Sequence, residues 1–362
     1  HNEVRVTHRH AQAHREMSVT VDNPQTESRD PLIFHRFVSR NTGPPLTFYL
    51  TFALIAVGSS LGGFATIMVS IVNWFNRHRA KAVSISQLGF SMGGLSVPIV
   101  ILSLELFGWR ATAFGSGIIV LLIGLPLVQV VRHRPEDYGE VPDGIRVEDA
   151  PDAGTARARV QTDRDFTAWE AMRTPAFWLL SLGHASALLT VSAVMVHLVP
   201  HLTEGLSFSL AEAGAVVALM TAFQMVGQLC GGYLGDRIDK RFICVGCMMG
   251  HGFGLLLVAF ASSIAMVVAF ALLHGLAWGM RGPLMVALRA DYFGPSSFGT
   301  IMGFSSLIVM FGMSSGPIIA GYMADVAGNY RGGLALLASL ALSGSFCFLL
   351  AKPPRHTSEQ PR

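Results

Sequence analysis

Apolar residues fall into nine long runs along the chain, at 46–75, 82–104, 111–131, 176–198, 211–235, 242–261, 264–288, 298–323 and 332–351, and polar residues collect between them. A helix that crosses the hydrocarbon core needs about 20 mostly apolar residues, and every run is of that length or longer. In lipid each backbone N–H and C=O must be satisfied within the protein, which leaves helices or closed barrels. Barrel strands alternate apolar and polar positions over about ten residues. These runs do not alternate. The pattern predicts an all-α, polytopic membrane helical bundle whose work concerns the bilayer.

Composition agrees with the pattern. Hydrophobic residues make up 51% and charged residues 14%, against about 25% charged in soluble domains. The mean hydropathy is +0.48. Glycines number 38, as suits helices that approach closely through small residues. A net charge of +3 gives no sign of a nucleic-acid partner. Cys230, Cys244, Cys247 and Cys347 all lie in apolar runs. The C-x-x-C of Cys244 and Cys247 has no second pair, so both are read as packing residues and not as a zinc or redox site. His1, His8, His10 and His14 are read as part of a disordered tail. There is no P-loop, no G-x-S-x-G turn and no ligand cluster outside that tail. The expectation is no enzyme, no cofactor and no metal.

Arg and Lys mark the cytoplasmic side of a membrane protein. They gather after the first run (Arg77, Arg79, Lys81), after the third (Arg132, Arg134, Arg146, Arg157, Arg159, Arg164, Arg173) and after the fifth (Arg237, Lys240, Arg241). Arg289 follows the seventh run, and Lys352, Arg355 and Arg362 form the tail. The alternate loops hold Arg110 and Arg331. The odd-numbered loops and the C-terminus are therefore expected in the cytoplasm. Nine spans would then leave residues 1–45 outside, although that segment carries Arg5, Arg9, Arg15, Arg29, Arg36 and Arg40. Either the tail is external, or an odd number of upstream spans is missing and residues 1–44 are not native sequence. The second explanation fits the rest better. The expected division is 1–45 as a disordered or non-native segment, 46–131 as three helices, 132–175 as a cytoplasmic central loop, 176–351 as six helices, and 352–362 as a cytoplasmic tail. In the central loop, Thr167-Ala-Trp-Glu170 reads as a capping box for a short helix.

Several loops carry a resemblance. Gly232-Tyr-Leu-Gly-Asp236-Arg237-Ile-Asp-Lys240-Arg241 resembles the G-x-x-x-D-R-x-x-R/K-R loop signature of the major facilitator superfamily, with Asp239 where the family usually has Gly. Asn73-Trp74-Phe75 with Arg77-His78-Arg79-Ala80 resembles its turn after helix 4, and Gly108-Trp109-Arg110 its turn before helix 6. Arg134-Pro-Glu-Asp-Tyr-Gly139 and Ala171-Met-Arg-Thr-Pro-Ala-Phe-Trp178 are similar to the bacterial monocarboxylate-carrier and oxalate/formate-antiporter branch. The resemblance covers 46–352 and implies helices 4–12 of a 12-helix carrier, with the first three absent. It implies that Asp236 faces the N-terminal end of a neighbouring helix, where negative charge is favoured. Gly232, Asp236, Arg237, Lys240 and Arg241 would then lock the cytoplasmic helix ends. Gly316 and Pro317, in Gly312-x-x-x-Gly316-Pro317, would form a bendable gate, or plain helix packing.

Ionisable residues at membrane depth are costly and are functional candidates by default. His274, Trp278 and Arg281 recur at i, i+4 and i+7 on one helical face, and the resemblance turns that helix toward a central cavity. Arg281 could hold a carboxylate or be tied to backbone carbonyls. His184 and Thr190 are further substrate candidates. His184 and His197 could shuttle protons or merely pack. His201 is read as solvated and His251 as peripheral and structural. Gln224 and Gln228, four apart, could contact substrate or join helices. The expected function is secondary active transport of a small organic anion, a monocarboxylate, by alternating access with proton symport or exchange. The expected place is a bacterial inner membrane. The alternative is a non-transporting sensor or inactive truncated carrier of the same fold.

Overall fold

The computed structural model describes residues 45–144 and 165–354. The expected disorder of residues 1–44 lies outside them. The chain divides into two compact units between Gly63 and Phe64. In the first, the described residues form α1 (Pro45–Gly62). The second begins with α2 (Phe64–Trp74), α3 (Arg79–Leu95) and α4 (Val97–Val130). After a short α5 (Ala168–Met172) come α6 (Pro175–Pro200), α7 (Leu210–Gly235), α8 (Lys240–Ala259), α9 (Ile264–Phe293), α10 (Phe298–Ala327) and α11 (Arg331–Leu350). No strand occurs among the described residues.

Eight helical stretches are long and apolar enough to cross a membrane, where the sequence predicts nine. The difference lies in the second run. There α3 stops at Leu95, Ser96 intervenes, and Pro98 opens α4, where its missing N–H leaves no broken bond. Gly108 then leaves the helical region at φ 73°, ψ 167°, a conformation that favours glycine. Thus α4 is two helices joined at Gly108, as the predicted boundary between 82–104 and 111–131 requires.

Helix starts follow local chemistry. Thr167 and Glu170 form the expected capping box of α5, and Ser209 with Glu212 forms another at α7. Thr174 caps α6 with Pro175 in its first turn. Within the second unit α7 packs on α9, α6 on α10, and α8 on both α9 and α11. Glycines carry the α7–α9 seam. A Cβ on Gly275 or Gly279 would strike the Met220 or Gln224 carbonyl, and one on Gly227 or Gly231 would strike the Leu276 or Met280 backbone. Large side chains such as Phe270, Phe293, Phe348, Leu180 and Met248 fill the interior. Leu102, Phe107, Leu122, Phe311 and many others are exposed, as a lipid-facing surface would be.

The loops sort to two ends. At one end Asp143 accepts from the backbone N–H of Asn76 and Arg77. There too Asp236 meets Ala80, Asp165 bonds Ser296, and the Tyr292 hydroxyl donates to the Ala351 carbonyl. At the other end His201, expected to be solvated, is buried and donates from Nε2 to the Val258 carbonyl at 2.8 Å. Tyr330 flanks it, and burial pushes the Tyr330 hydroxyl above its usual pKa.

Candidate functional site

Arg281 sits on α9 with 1% of its surface exposed, and its Nε and Nη1 have no hydrogen-bond partner. A charged group out of water without a partner costs several kcal/mol. A guanidinium with two buried, unpartnered nitrogens is a strong chemical demand for an anion. His274 is fully buried and lies on the same face, its ring close to Phe270 and Trp278. His251 on α8 was expected at a peripheral position. It is instead fully buried, with its Nδ1 3.2 Å from the Nδ1 of His274. The α8–α9 contact carries it inward, because Gly250 and Gly254 let α8 close on Leu273, His274 and Ala277.

Arg289, read from sequence as a loop residue, is buried in the last turns of α9. Its guanidinium donates to the Met285 carbonyl at 3.0 Å and to His184 Nδ1 at 3.0 Å. Arginine has donors alone. That nitrogen of His184 must therefore accept, and the ring is neutral while the bond stands.

The other candidates are spread along the bundle. Gln228 accepts from the Ser91 hydroxyl at 3.0 Å and its amide lies 3.5 Å from the Gln87 carbonyl, so it joins α7 to α3. Gln224 is half-buried, and its carbonyl lies against Gly279. Thr190 is buried and donates to the Ser186 carbonyl in its own helix. His197 donates from Nε2 to the carbonyl of Pro317, the proline inside α10, at 2.9 Å. Gly316 brings that helix against the Leu189 carbonyl.

The charged end is more tightly built. Asp236 takes the backbone N–H of Ala80 at 3.0 Å and of Lys81 at 3.3 Å. It thereby satisfies orphan donors of α3, the arrangement the loop signature implies. Gly232 leaves room for Ser84 and Lys81. Arg237 lies over the Tyr233 ring at 3.5 Å. Asp239 caps α8 through the Arg241 N–H, and its bond to the Arg241 guanidinium holds its carboxyl below the usual carboxylate range. A carboxylate at that position thus serves the helix start. Sequence reasoning missed Asp291, which binds Arg79 and Lys240, each at 2.7 Å. The signal was present: Asp291 is the sole carboxylate of α9. A cleft of about 130 Å³ opens among Arg77, His78, Lys81, Asp236 and Arg237.

Apolar helices with a lipid-like exterior define an integral membrane protein of the helical-bundle class. A sequence profile described as Major Facilitator Superfamily matches residues 32–197 and 180–362, and the chain belongs to that family. The probable L-galactonate transporter of Escherichia coli (strain K12) is 24% identical over 328 residues, covering 84% of this chain and 70% of its own length. Monocarboxylate transporter 11 of Mus musculus is 24% identical over 321 residues, covering 84% of this chain and 66% of its own. The crystal structure of the human organic anion transporter MFSD10 (TETRAN) superposes with a TM-score of 0.57 at 16% identity, over 78% of this chain and 66% of that one. At such identity the likeness concerns the fold. The chain spans about two thirds of the length of these three proteins. The family and its solved neighbour are transporters, not enzymes.

Proposed function

We propose that this protein is a secondary active carrier of a small organic monocarboxylate, working by alternating access with proton symport or exchange. The observation that carries the reading is Arg281: buried, with two nitrogens unpartnered, on a helix whose one carboxylate, Asp291, is engaged by Arg79 and Lys240. A planar guanidinium with free donors is suited to a carboxylate. The names of the relatives, an L-galactonate and a monocarboxylate transporter, support an organic acid as the cargo. The contacts of Asp236 and Asp291 close one end of the bundle in this state. The Lys and Arg asymmetry supports placing that end and the C-terminus in the cytoplasm, and the resemblance of Arg134–Gly139 and Ala171–Trp178 to bacterial carriers supports an inner membrane.

Uptake of labelled benzoate, L-lactate and L-galactonate into proteoliposomes tests the reading. Arg281→Gln should abolish uptake, and Arg281→Lys, which keeps the charge and loses the fork, should impair it. Rates are normalised to inserted protein. Normal uptake by Arg281→Gln would make Arg281 a structural residue. No uptake by the wild type of any of the three anions would favour a non-transporting sensor.

A further inference from the structure

Helices α8 and α9 meet through two imidazoles that neither the closing contacts nor carboxylate binding employs. His251 and His274 are fully buried. Their ring centroids lie 4.6 Å apart, edge to face, and Nδ1 faces Nδ1 at 3.2 Å. A hydrogen bond between two like nitrogens needs one proton and one lone pair, so the neutral rings hold opposite tautomers. One ring donates from Nδ1 and has a bare Nε2. The other accepts at Nδ1 and carries an Nε2–H. Both Nε2 atoms are buried and without a partner. The pair thus has one bare ring nitrogen in the buried interior, two turns from Arg281 on the face of α9 that carries His274.

The surroundings decide what such a vacancy does. The titratable groups on the packed elements are Lys240, Arg241, Cys244 and Cys247 on α8, Arg281, Arg289 and Tyr292 on α9, Cys230 and Tyr233 on α7, Arg79 and Lys81 on α3, His184 and His197 on α6, the exposed Tyr322 and Asp325 at the end of α10, and Cys347 with the terminal Arg331 on α11. The carboxylates of α7 and α9 are Glu212 and Asp291, at helix ends. Glu212 is engaged by the Ser209 cap and Asp291 by its two cations. No acid on these helices therefore offsets the charge of Arg281 at the level of the pair.

We propose that the His251–His274 pair is the proton-holding half of the Arg281 site, taking up one further proton when an anion neutralises Arg281. This inference rests on Arg281 as the anion-binding residue. The proton adds to the bare Nε2 of the donor ring, and no bond between heavy atoms changes. The Nδ1–H···Nδ1 bond survives and becomes charge-assisted. Without an anion the cluster already holds one positive charge, and a second beside it in low dielectric is opposed. With a carboxylate on Arg281 the charge beside the pair is neutralised, and the added proton restores it. Coupling between two bound species is reciprocal, so a protonated pair also strengthens the hold on the anion. Anion and proton then move together in one direction. His184 cannot take this part while its Nδ1 accepts from Arg289.

The test uses the full chain in lipid nanodiscs with ¹⁵N-labelled histidine. His251→Asn and His274→Asn assign the signals by NMR. Arg281→Gln removes the charge with no ligand present and stands for the neutralised site; Arg281→Met does the same if the first variant misfolds. Near pH 6, the ratio of cationic to neutral pair should rise roughly tenfold or more in either variant over wild type. Saturating benzoate or L-lactate should raise it in wild type. An unchanged ratio in a folded neutral variant overturns the proposal, as does the absence of opposite tautomers. The two readings fail separately. A raised ratio without uptake of any anion leaves the coupling and removes the transport reading. Uptake with an unmoved ratio leaves transport and makes the pair structural.

Discussion

A methyl group on Gly279 should damage the bundle more than any surface change. Its Cβ would overlap the Gln224 carbonyl oxygen and lie 2.8 Å from both the Gln224 carbonyl carbon and the Gln228 nitrogen. These are backbone atoms of α7, so no rotamer change relieves the clash. The helices must part, and parting also loosens the contacts at Gly227, Gly231 and Gly275. Overpacking costs about 1–3 kcal/mol, with this site at the upper end, and the Ala returns about 0.8–1.0 kcal/mol in helix propensity. The net loss is about 2 kcal/mol, or roughly 3 °C in melting temperature for a bundle of this size. Gly246→Ala on α8 is the control, because a Cβ there meets nothing within 4 Å; it should stabilise by about 0.5–1 kcal/mol. Thermal unfolding in detergent, followed by tryptophan fluorescence, reads both. A Gly279→Ala protein that melts no lower than wild type, or a Gly246→Ala protein that falls as far, would refute the interlocked seam.

Asp291→Asn cuts two ion pairs at once and should loosen α3 from the closed end. Ser84→Cys, buried in wild type against Gly232, should then react with maleimide several times faster, and an unchanged rate would mean the closure does not depend on Asp291. Asp239 has a depressed pKa in the folded protein, so its stabilising bond to Arg241 is complete above the ordinary carboxylate pKa and fades as pH falls through the depressed value. Asp239→Asn should therefore flatten the melting-temperature profile below about pH 4, while a profile that overlies wild type would show the bond to be idle.

The spans were legible because apolar length is itself the physical requirement for crossing lipid. Gly108 could be placed at a helix boundary from its Gly-Trp-Arg turn, and the Thr167–Glu170 cap from its spacing. What periodicity could not supply was the partner across a seam. It placed His274 and Arg281 on one face, but the inward side of α8, and with it His251, depends on Gly250 and Gly254 meeting α9. Arg289 looked like a loop residue because charge ends an apolar run in sequence. In the structure its guanidinium finds a carbonyl and an imidazole, and the helix continues through it. Asp291 was missed for the same reason: it lies just past the apolar run, and both its cations come from other helices.

Two buried arginines on α9 also bear on how the chain enters the membrane during synthesis. Arginine at the centre of an inserting helix costs about 2.5–3.5 kcal/mol, and each Leu, Ile, Val or Phe there returns about 0.3–0.6 kcal/mol. With Arg281 deep in the run and Arg289 just past its end, the leucines and valines of α9 leave little surplus. This helix is therefore a poor stop on its own and a good one once α8 is waiting beside it with His251 and its glycines. Insertion of α8 and α9 as a hairpin follows, and a nascent chain cut after Phe293 should hold α9 in the bilayer with α8 present and release it when α8 is replaced by an unrelated apolar helix.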